Sequence, residues 1–207
     1  VMMLTPAAAR VFWLALLENA ARLIVDADAL FPSQRAQALV VLAQEEVGKA
    51  VWVYKAFWDA WKDSEETQHE VPELRKLGVD HVAKHIQAND FLTAMVDVPG
   101  FSDSVDIEIA REHAPDALRT YLASLAQEDN DAKKKAFYVD MKPDGSFTVP
   151  HEIDRPFLRF DIYRVADMIH WFCAEDQLGA SVSSTPRSPT RHIEVMLEPV
   201  LAKGSDG

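Results

Sequence analysis

Gln34-Arg35-Ala36-Gln37-Ala38-Leu39-Val40-Val41-Leu42-Ala43-Gln44-Glu45-Glu46-Val47-Gly48-Lys49-Ala50-Val51-Trp52-Val53-Tyr54-Lys55-Ala56-Phe57-Trp58-Asp59-Ala60-Trp61 is the stretch that decides the fold. Ala36, Leu39, Val40, Ala43, Val47, Ala50, Val51, Tyr54, Phe57, Trp58 and Trp61 recur at helical spacing, which predicts one long helix with a broad apolar face. Its middle is polar. Two adjacent carboxylates, a glycine and a lysine interrupt a run that otherwise reads as buried. A mid-helix glycine costs about 1 kcal/mol relative to alanine, so Gly48 points to a backbone or bulky side chain approaching closely there. Glu45 and Lys49 stand i, i+4 in the favourable order and read as an ordinary surface pair. Glu46, about 100° further round, lies nearer the flank of the apolar face.

The rest of the chain supports a compact helical protein. Its 207 residues suffice for one core, and a hydrophobic content of 48% with five Trp and ten Phe excludes a disordered chain. A single cysteine, Cys173, excludes an intrachain disulfide or a thiolate zinc cluster and fits a reducing cytoplasm. No apolar run is long enough to span a bilayer, and Val11–Leu17 lacks the form of a secretory signal. A net charge of -12 argues against a whole-surface nucleic-acid binder, so any contact with RNA or a nucleotide must be local.

Outward from the central helix, Thr5-Pro6 predicts a helix start, and that helix runs to about Ala29. Phe31-Pro32-Ser33 is a turn, which makes the first two helices antiparallel neighbours. Lys62 to Glu70 reads as a polar loop. Glu66 and His69 within it have the spacing of a di-iron ligand pair but read as solvated surface, because the companion motif is missing. Pro72 opens a third helix to about Met95, Pro99-Gly100 marks a turn, and Asp106–His113 suits a short helix. A further helix covers Asp116 to about Lys135, with Leu118, Tyr121, Leu122 and Leu125 inward. Phe137–Asp140 and Ser146–Val149 around Pro143-Asp144-Gly145 predict a β-hairpin. Asp154-Arg155-Pro156 starts the last long helix, which Gly179 ends. The expected domains are a helical body over 1–180, a Ser/Pro-rich linker over 181–190, and a short tail helix with a disordered end over 191–207.

Polar side chains cluster on the third helix as well. Arg75, Lys76, His81, Lys84 and His85 lie there, with the two histidines i, i+4 on one face. A metal could use His81 and His85 with Glu45 or Glu46 as the third ligand. The same residues also read without metal, as an acid–base cluster of Glu46, Lys49, His81 and Lys84, or as structural ion pairs. No metal and no cofactor is assigned on these signals.

Leu42-Ala43-Gln44-Glu45-Glu46-Val47-Gly48-Lys49-Ala50 followed by His81-Val82-Ala83-Lys84 resembles the AbiV abortive-infection family, bacterial anti-phage proteins of the HEPN superfamily. A third block, Lys134 and Lys135 before Phe137-Tyr138-Val139-Asp140, is similar to that family's lysine-preceded strand. The blocks lie in order between Ala8 and about Val149. The resemblance implies an all-helical bundle, often dimeric, with defence or toxin-like activity. The candidate binding residues are Glu45, Arg75 and His85 of the polar clusters and Lys135, Tyr138 and Asp140 of this third block. HEPN proteins are frequently metal-independent RNases, while others bind only nucleotides or partner proteins. The nucleases resemble one another in an Arg-x4–6-His motif, which Arg75/His81, Arg164/His170 and Arg187/His192 all fit. Arg187/His192 spans Pro189 in the linker. Arg164/His170 lies on the last long helix, where that motif belongs, but Val165 replaces the usual polar residue. Positions six apart diverge by about 240° around a helix, so the two side chains meet only across a groove or a dimer axis.

The sequence therefore predicts an all-α, HEPN-like bundle of about five main helices with a small β-hairpin insertion. The expected function is phage defence by binding or cleaving RNA or a nucleotide at a polar site between the second and third helices. Glu46, Lys49, His81 and Lys84 are the first catalytic candidates, with Arg164 and His170 behind them. The expected partners are RNA or a nucleotide, a phage or host protein, and a second copy of the chain, with no membrane. A non-catalytic interaction module and a metal-dependent helical hydrolase remain as alternatives.

Overall fold

The structure is a computed structural model that describes residues 3–63, 66–94, 115–150, 157–181 and 189–204. It is mostly helical. Seven helices are present among the described residues: α1 Pro6–Leu30, α2 Gln34–Asp63, α3 Pro72–Leu77, α4 His81–Ala94, α5 Pro115–Phe137, α6 Leu158–Ser181 and α7 Arg191–Gly204. Two short antiparallel pairs complete it. β1 (Met3–Leu4) pairs with β2 (His69–Glu70), Met3 opposite Glu70, and β3 (Asp140–Met141) pairs with β4 (Phe147–Thr148), Asp140 opposite Thr148.

Local chemistry sets the helix ends. Thr5 Oγ1 accepts from the Ala8 amide at 3.2 Å, and Pro6 follows in the first turn, where its missing N–H has no cost. Ser33 Oγ accepts from the Arg35 amide at 3.3 Å and opens α2. Asp80 Oδ1 accepts from the Ala83 amide at 3.0 Å and opens α4. Because α1 and α2 are joined by so short a turn, they run antiparallel, and Trp61 Nε1 near the end of α2 donates to the Pro6 carbonyl at 2.8 Å.

α2 is the central element, packed against α1, α4, α5 and α6. Its α1/α6 side carries an aromatic core in which Trp13, Tyr54, Trp61 and Phe172 meet mostly edge to face. Arg10 lies 4.4 Å above Trp13 and donates both of its terminal nitrogens to Asp176 at 2.6 Å, a buried bidentate pair that ties α1 to α6. α7 returns to this core through Ile193, Leu197 and Val200. Cys173 is buried there, and burial together with Glu194 and Asp176 pushes its thiol up to about 12. Among the described residues no helix is long and apolar enough to cross a membrane.

Several expectations need correction. The helix expected over 72–95 is two, because the chain breaks at Gly78-Val79-Asp80 and restarts under the Asp80 cap. With α3 separate and α7 included, the count is seven among the described residues, not five. Gly179 does not end its helix. α6 runs on to Ser181, and a Cβ on Gly179 would lie 1.9 Å from the Trp58 ring, so the glycine makes room for that indole. In the polar stretch before Pro72, Glu66, Thr67 and Gln68 are exposed as expected, whereas His69 begins a strand and packs edge-on against Phe57 at 5.4 Å, half-buried. Phe137 closes α5, and Tyr121 is exposed on it. The hairpin turn is as expected, with Gly145 at φ 82° and the Ser146 amide donating to Asp144 Oδ1 at 2.9 Å. The helix expected over 106–113, the Pro99-Gly100 turn, the Asp154 cap and most of the linker lie outside the described residues.

Candidate functional site

α2 buries a second face, toward α4 and α5, along the stripe Ala38, Val41, Glu45, Gly48 and Trp52. Gly48 sits at its centre because α4 comes that close: a Cβ there would be 2.0 Å from the Lys84 carbonyl oxygen. The two helices then run side by side, Gly48 beside Lys84 and Trp52 Nε1 donating to Gln87 Oε1 at 3.1 Å. α5 runs the other way, with Lys133 opposite His81 and Asp129 opposite His85.

Glu45, 4% exposed, is the hub of this three-helix seam. Its Oε2 meets His81 Nδ1 at 2.7 Å and Lys84 Nζ at 2.8 Å, and its Oε1 accepts from Lys133 Nζ at 2.5 Å. Lys133 Nζ is also 3.1 Å from His81 Nδ1. Burial alone would raise the Glu45 carboxyl, but hydrogen bonds from Lys133, Lys84 and His81 and the charge on Lys84 outweigh it and hold the group at about 2. The carboxylate is therefore fully ionised and fully partnered. Lys84 and Lys133 are buried, whereas the His81 side chain is 48% exposed and forms the opening to solvent.

His85, one turn further along α4, is completely buried. Its Nδ1 is 3.7 Å from Asp129 Oδ2, and neither ring nitrogen has a hydrogen-bond partner among the described residues. Burial lowers its pKa to about 4. The Glu45 charge opposes that shift, and the charges of Lys133, Lys84 and His81 add to it. His85 is thus neutral through the physiological range.

The arrangement reassigns two residues. The acid that His81 and Lys84 meet is Glu45, not Glu46, and the pairing of Glu45 with Lys49 does not form. Lys49 instead bonds Glu46 Oε1 at 2.7 Å in a half-buried pair beside the hub. Glu45 faces a seam that a single apolar stripe does not reveal, so its position relative to the first stripe misleads. Lys133 escapes the sequence reading, which stops at Lys134 and Lys135. Its signal is phase: Leu118, Leu122, Ala126 and Ala136 are buried along α5, and Lys133 is the lysine of that run that continues their stripe. Lys135 is exposed, as is Tyr138, and Asp140 lies in β3. Arg75 is on α3, 3.5 Å from Glu70.

Arg164 and His170 are half-buried on α6, and no hydrogen bond or ion pair joins them among the described residues. Between them, burial raises the Asp167 carboxyl, against the His170 charge and a hydrogen bond from Trp171. The donor set around Glu45 suits an anion better than a metal. Two ammonium groups occupy its oxygens, His85 faces Asp129 instead, and no group of three His, Cys, Asp or Glu that could hold a metal occurs among the described residues.

The family model HEPN_AbiV, described as AbiV, matches residues 8–171. No curated protein and no solved structure matches the chain.

Proposed function

Since the chain belongs to the AbiV family of HEPN proteins, we propose that it acts in abortive infection against phage, in the cytoplasm, by binding or cleaving RNA or a nucleotide at the seam between α2, α4 and α5. The observation that carries this reading is the pair of buried ammonium groups, Lys84 and Lys133, that share one carboxylate beneath the exposed His81, in a chain of net charge -12. Two buried cations against one anion favour a further anion at the opening, and a phosphate is the anion an RNA supplies. His81 stands where it can exchange a proton with such a ligand. The test is incubation of the full chain with labelled RNA, with chelator present. Retention or cleavage that His81→Gln and Lys133→Met both weaken supports the proposal. Cleavage that appears only when the chelator is left out moves the reading to a metal-dependent hydrolase.

One observation favours a second reading, a protein-interaction module. Tyr138, Val139, Met141 and Phe147 are exposed on and beside the β3–β4 hairpin, and Met141 is 80% exposed opposite Phe147. Phage protection that survives loss of RNA binding would select it. The family habit and the exposed Val11 and Phe12 of α1 and Phe160 and Leu178 of α6 also support a homodimer through helix faces, which light scattering at tens of micromolar tests.

A further inference from the structure

The contacts at His81 Nδ1 cannot all be hydrogen bonds at once. Glu45 Oε2, ionised, only accepts, so its 2.7 Å contact requires a proton on Nδ1. The Lys133 ammonium only donates, so its 3.1 Å contact requires a lone pair on the same nitrogen. A neutral imidazole satisfies one or the other. The geometry favours Glu45. Its contact is the shorter, it is assisted by the carboxylate charge, and the alternative would press an oxygen lone pair against a nitrogen lone pair at 2.7 Å in a buried seam. Lys133 gives up nothing essential in return, because it already donates to Glu45 Oε1. Lys84 and Lys133 hold the two oxygens from different helices, so the carboxylate cannot turn away from the ring.

We infer that Glu45, oriented by Lys84 and Lys133, is a positioning residue that, in the neutral form of His81, keeps the ring proton on Nδ1 and so presents the Nε2 lone pair to a hydroxyl-bearing ligand. Nε2 has no partner among the described residues, and the His81 side chain is the exposed member of the cluster. The chemistry matched by a lone-pair acceptor beside buried ammonium groups is a hydroxyl next to a phosphate, as in the ribose of RNA, where DNA has no hydroxyl to offer. The ligand assignment rests on the function proposed above, whereas the tautomer does not.

The experiment separates the two. Long-range proton–nitrogen NMR correlations of the 15N-histidine-labelled full chain, at a pH where the imidazoles are neutral, report which ring nitrogen carries the proton. The His81 signals are identified by their loss in His81→Gln. The expected pattern is a protonated Nδ1 and an unprotonated Nε2 far downfield of it. A proton on Nε2, or the averaged pattern of free histidine, overturns the inference. Lys133→Met should leave the proton on Nδ1, because Lys84 still holds Glu45 Oε2 beside the ring, and a proton moved to Nε2 overturns the assignment to Glu45. Glu45→Gln, where circular dichroism shows it folded, should move the proton to Nε2 as Lys133 becomes the stronger partner. RNA and DNA of one sequence are then added to the wild type. If the tautomer is as expected and RNA shifts the Nε2 signal while DNA does not, both the inference and its ligand stand. An expected tautomer with no response to RNA keeps the positioning role and rejects the hydroxyl ligand together with the proposed function.

Discussion

Glu45, Lys133 and His85 differ in how much the fold depends on each, and the difference follows from what each would leave behind. Lys133→Met removes one of three donors from a buried carboxylate, and breaking a buried pair from one side costs about 3–5 kcal/mol when nothing else compensates. Lys84 and His81 remain on Oε2, so the expected loss is smaller, about 2 kcal/mol by urea denaturation. Lys49→Met, in the half-buried pair with Glu46, should cost less than about 1 kcal/mol. Equal losses for the two variants would show that Glu45 is not the hub. His85 leads to a pH prediction. Its folded pKa, about 4, lies below its ordinary value of 6.5, so the stability it contributes is complete above about 6.5 and disappears as the pH falls toward 4. Glu45, also depressed, contributes above about 4.5 and loses its share between there and about 2. Thermal melts should therefore soften first between pH 6.5 and 4, and His85→Leu should flatten that part of the profile while leaving the loss below pH 4. An unchanged slope in His85→Leu would place the acid-labile group elsewhere.

At the scale of elements, the first stripe of α2 was readable because Ala36, Val40, Ala43, Val47 and Ala50 are plainly apolar and evenly spaced. The second was not, because its central members are a glutamate and a glycine. A buried carboxylate looks like a surface residue until its donors are known, and those donors sit on α4 and on α5, far apart in sequence. Gly48 was the legible clue, and its contact with the Lys84 carbonyl bears out the expectation of a close approach. The break between α3 and α4 was harder to see. Gly78 alone is tolerable within a helix, and only the Asp80 cap makes the restart decisive. The close contact yields a sharp prediction. Gly48→Ala should gain about 1 kcal/mol of helix propensity, yet its methyl would meet a backbone oxygen at 2.0 Å, and that oxygen cannot turn aside as a side chain would. The net effect should be destabilisation by roughly 2 kcal/mol or more, with α4 displaced from α2. A melting temperature equal to or above that of the wild type would contradict it. Gly179→Ala faces a Trp58 ring, which is a side chain with other rotamers, and should be the milder of the two.

For the whole molecule the question is which of two histidines the proposed defence activity would use, since the HEPN-type spacing of Arg164 and His170 competes with the seam around Glu45. The cost of burial favours the seam. Burying Glu45, Lys84 and Lys133 among three helices is expensive unless they pair, and a seam built only for stability would do as well with apolar side chains. Arg164 and His170 have a cheaper explanation as half-buried members of an amphipathic helix whose inner face already packs Val165, Ile169 and Phe172 into the core. His81 is also the easier residue to remove cleanly. It is exposed, and Glu45 keeps two lysines without it, so His81→Gln should fold and leave the seam intact. Plaque assays on bacteria expressing His81→Gln or His170→Gln, each confirmed as folded by circular dichroism, then decide. Protection should fall by at least tenfold for His81→Gln and stay near wild type for His170→Gln, because a group that moves a proton or holds the reacting hydroxyl is worth on the order of 10²–10⁴ in rate, of which protection can absorb only part. The reverse pattern would assign the function to α6 and leave the lysines around Glu45 as scaffolding. Full protection from both variants would move the function to a surface, and the exposed hairpin residues Met141 and Phe147 would be the next to change.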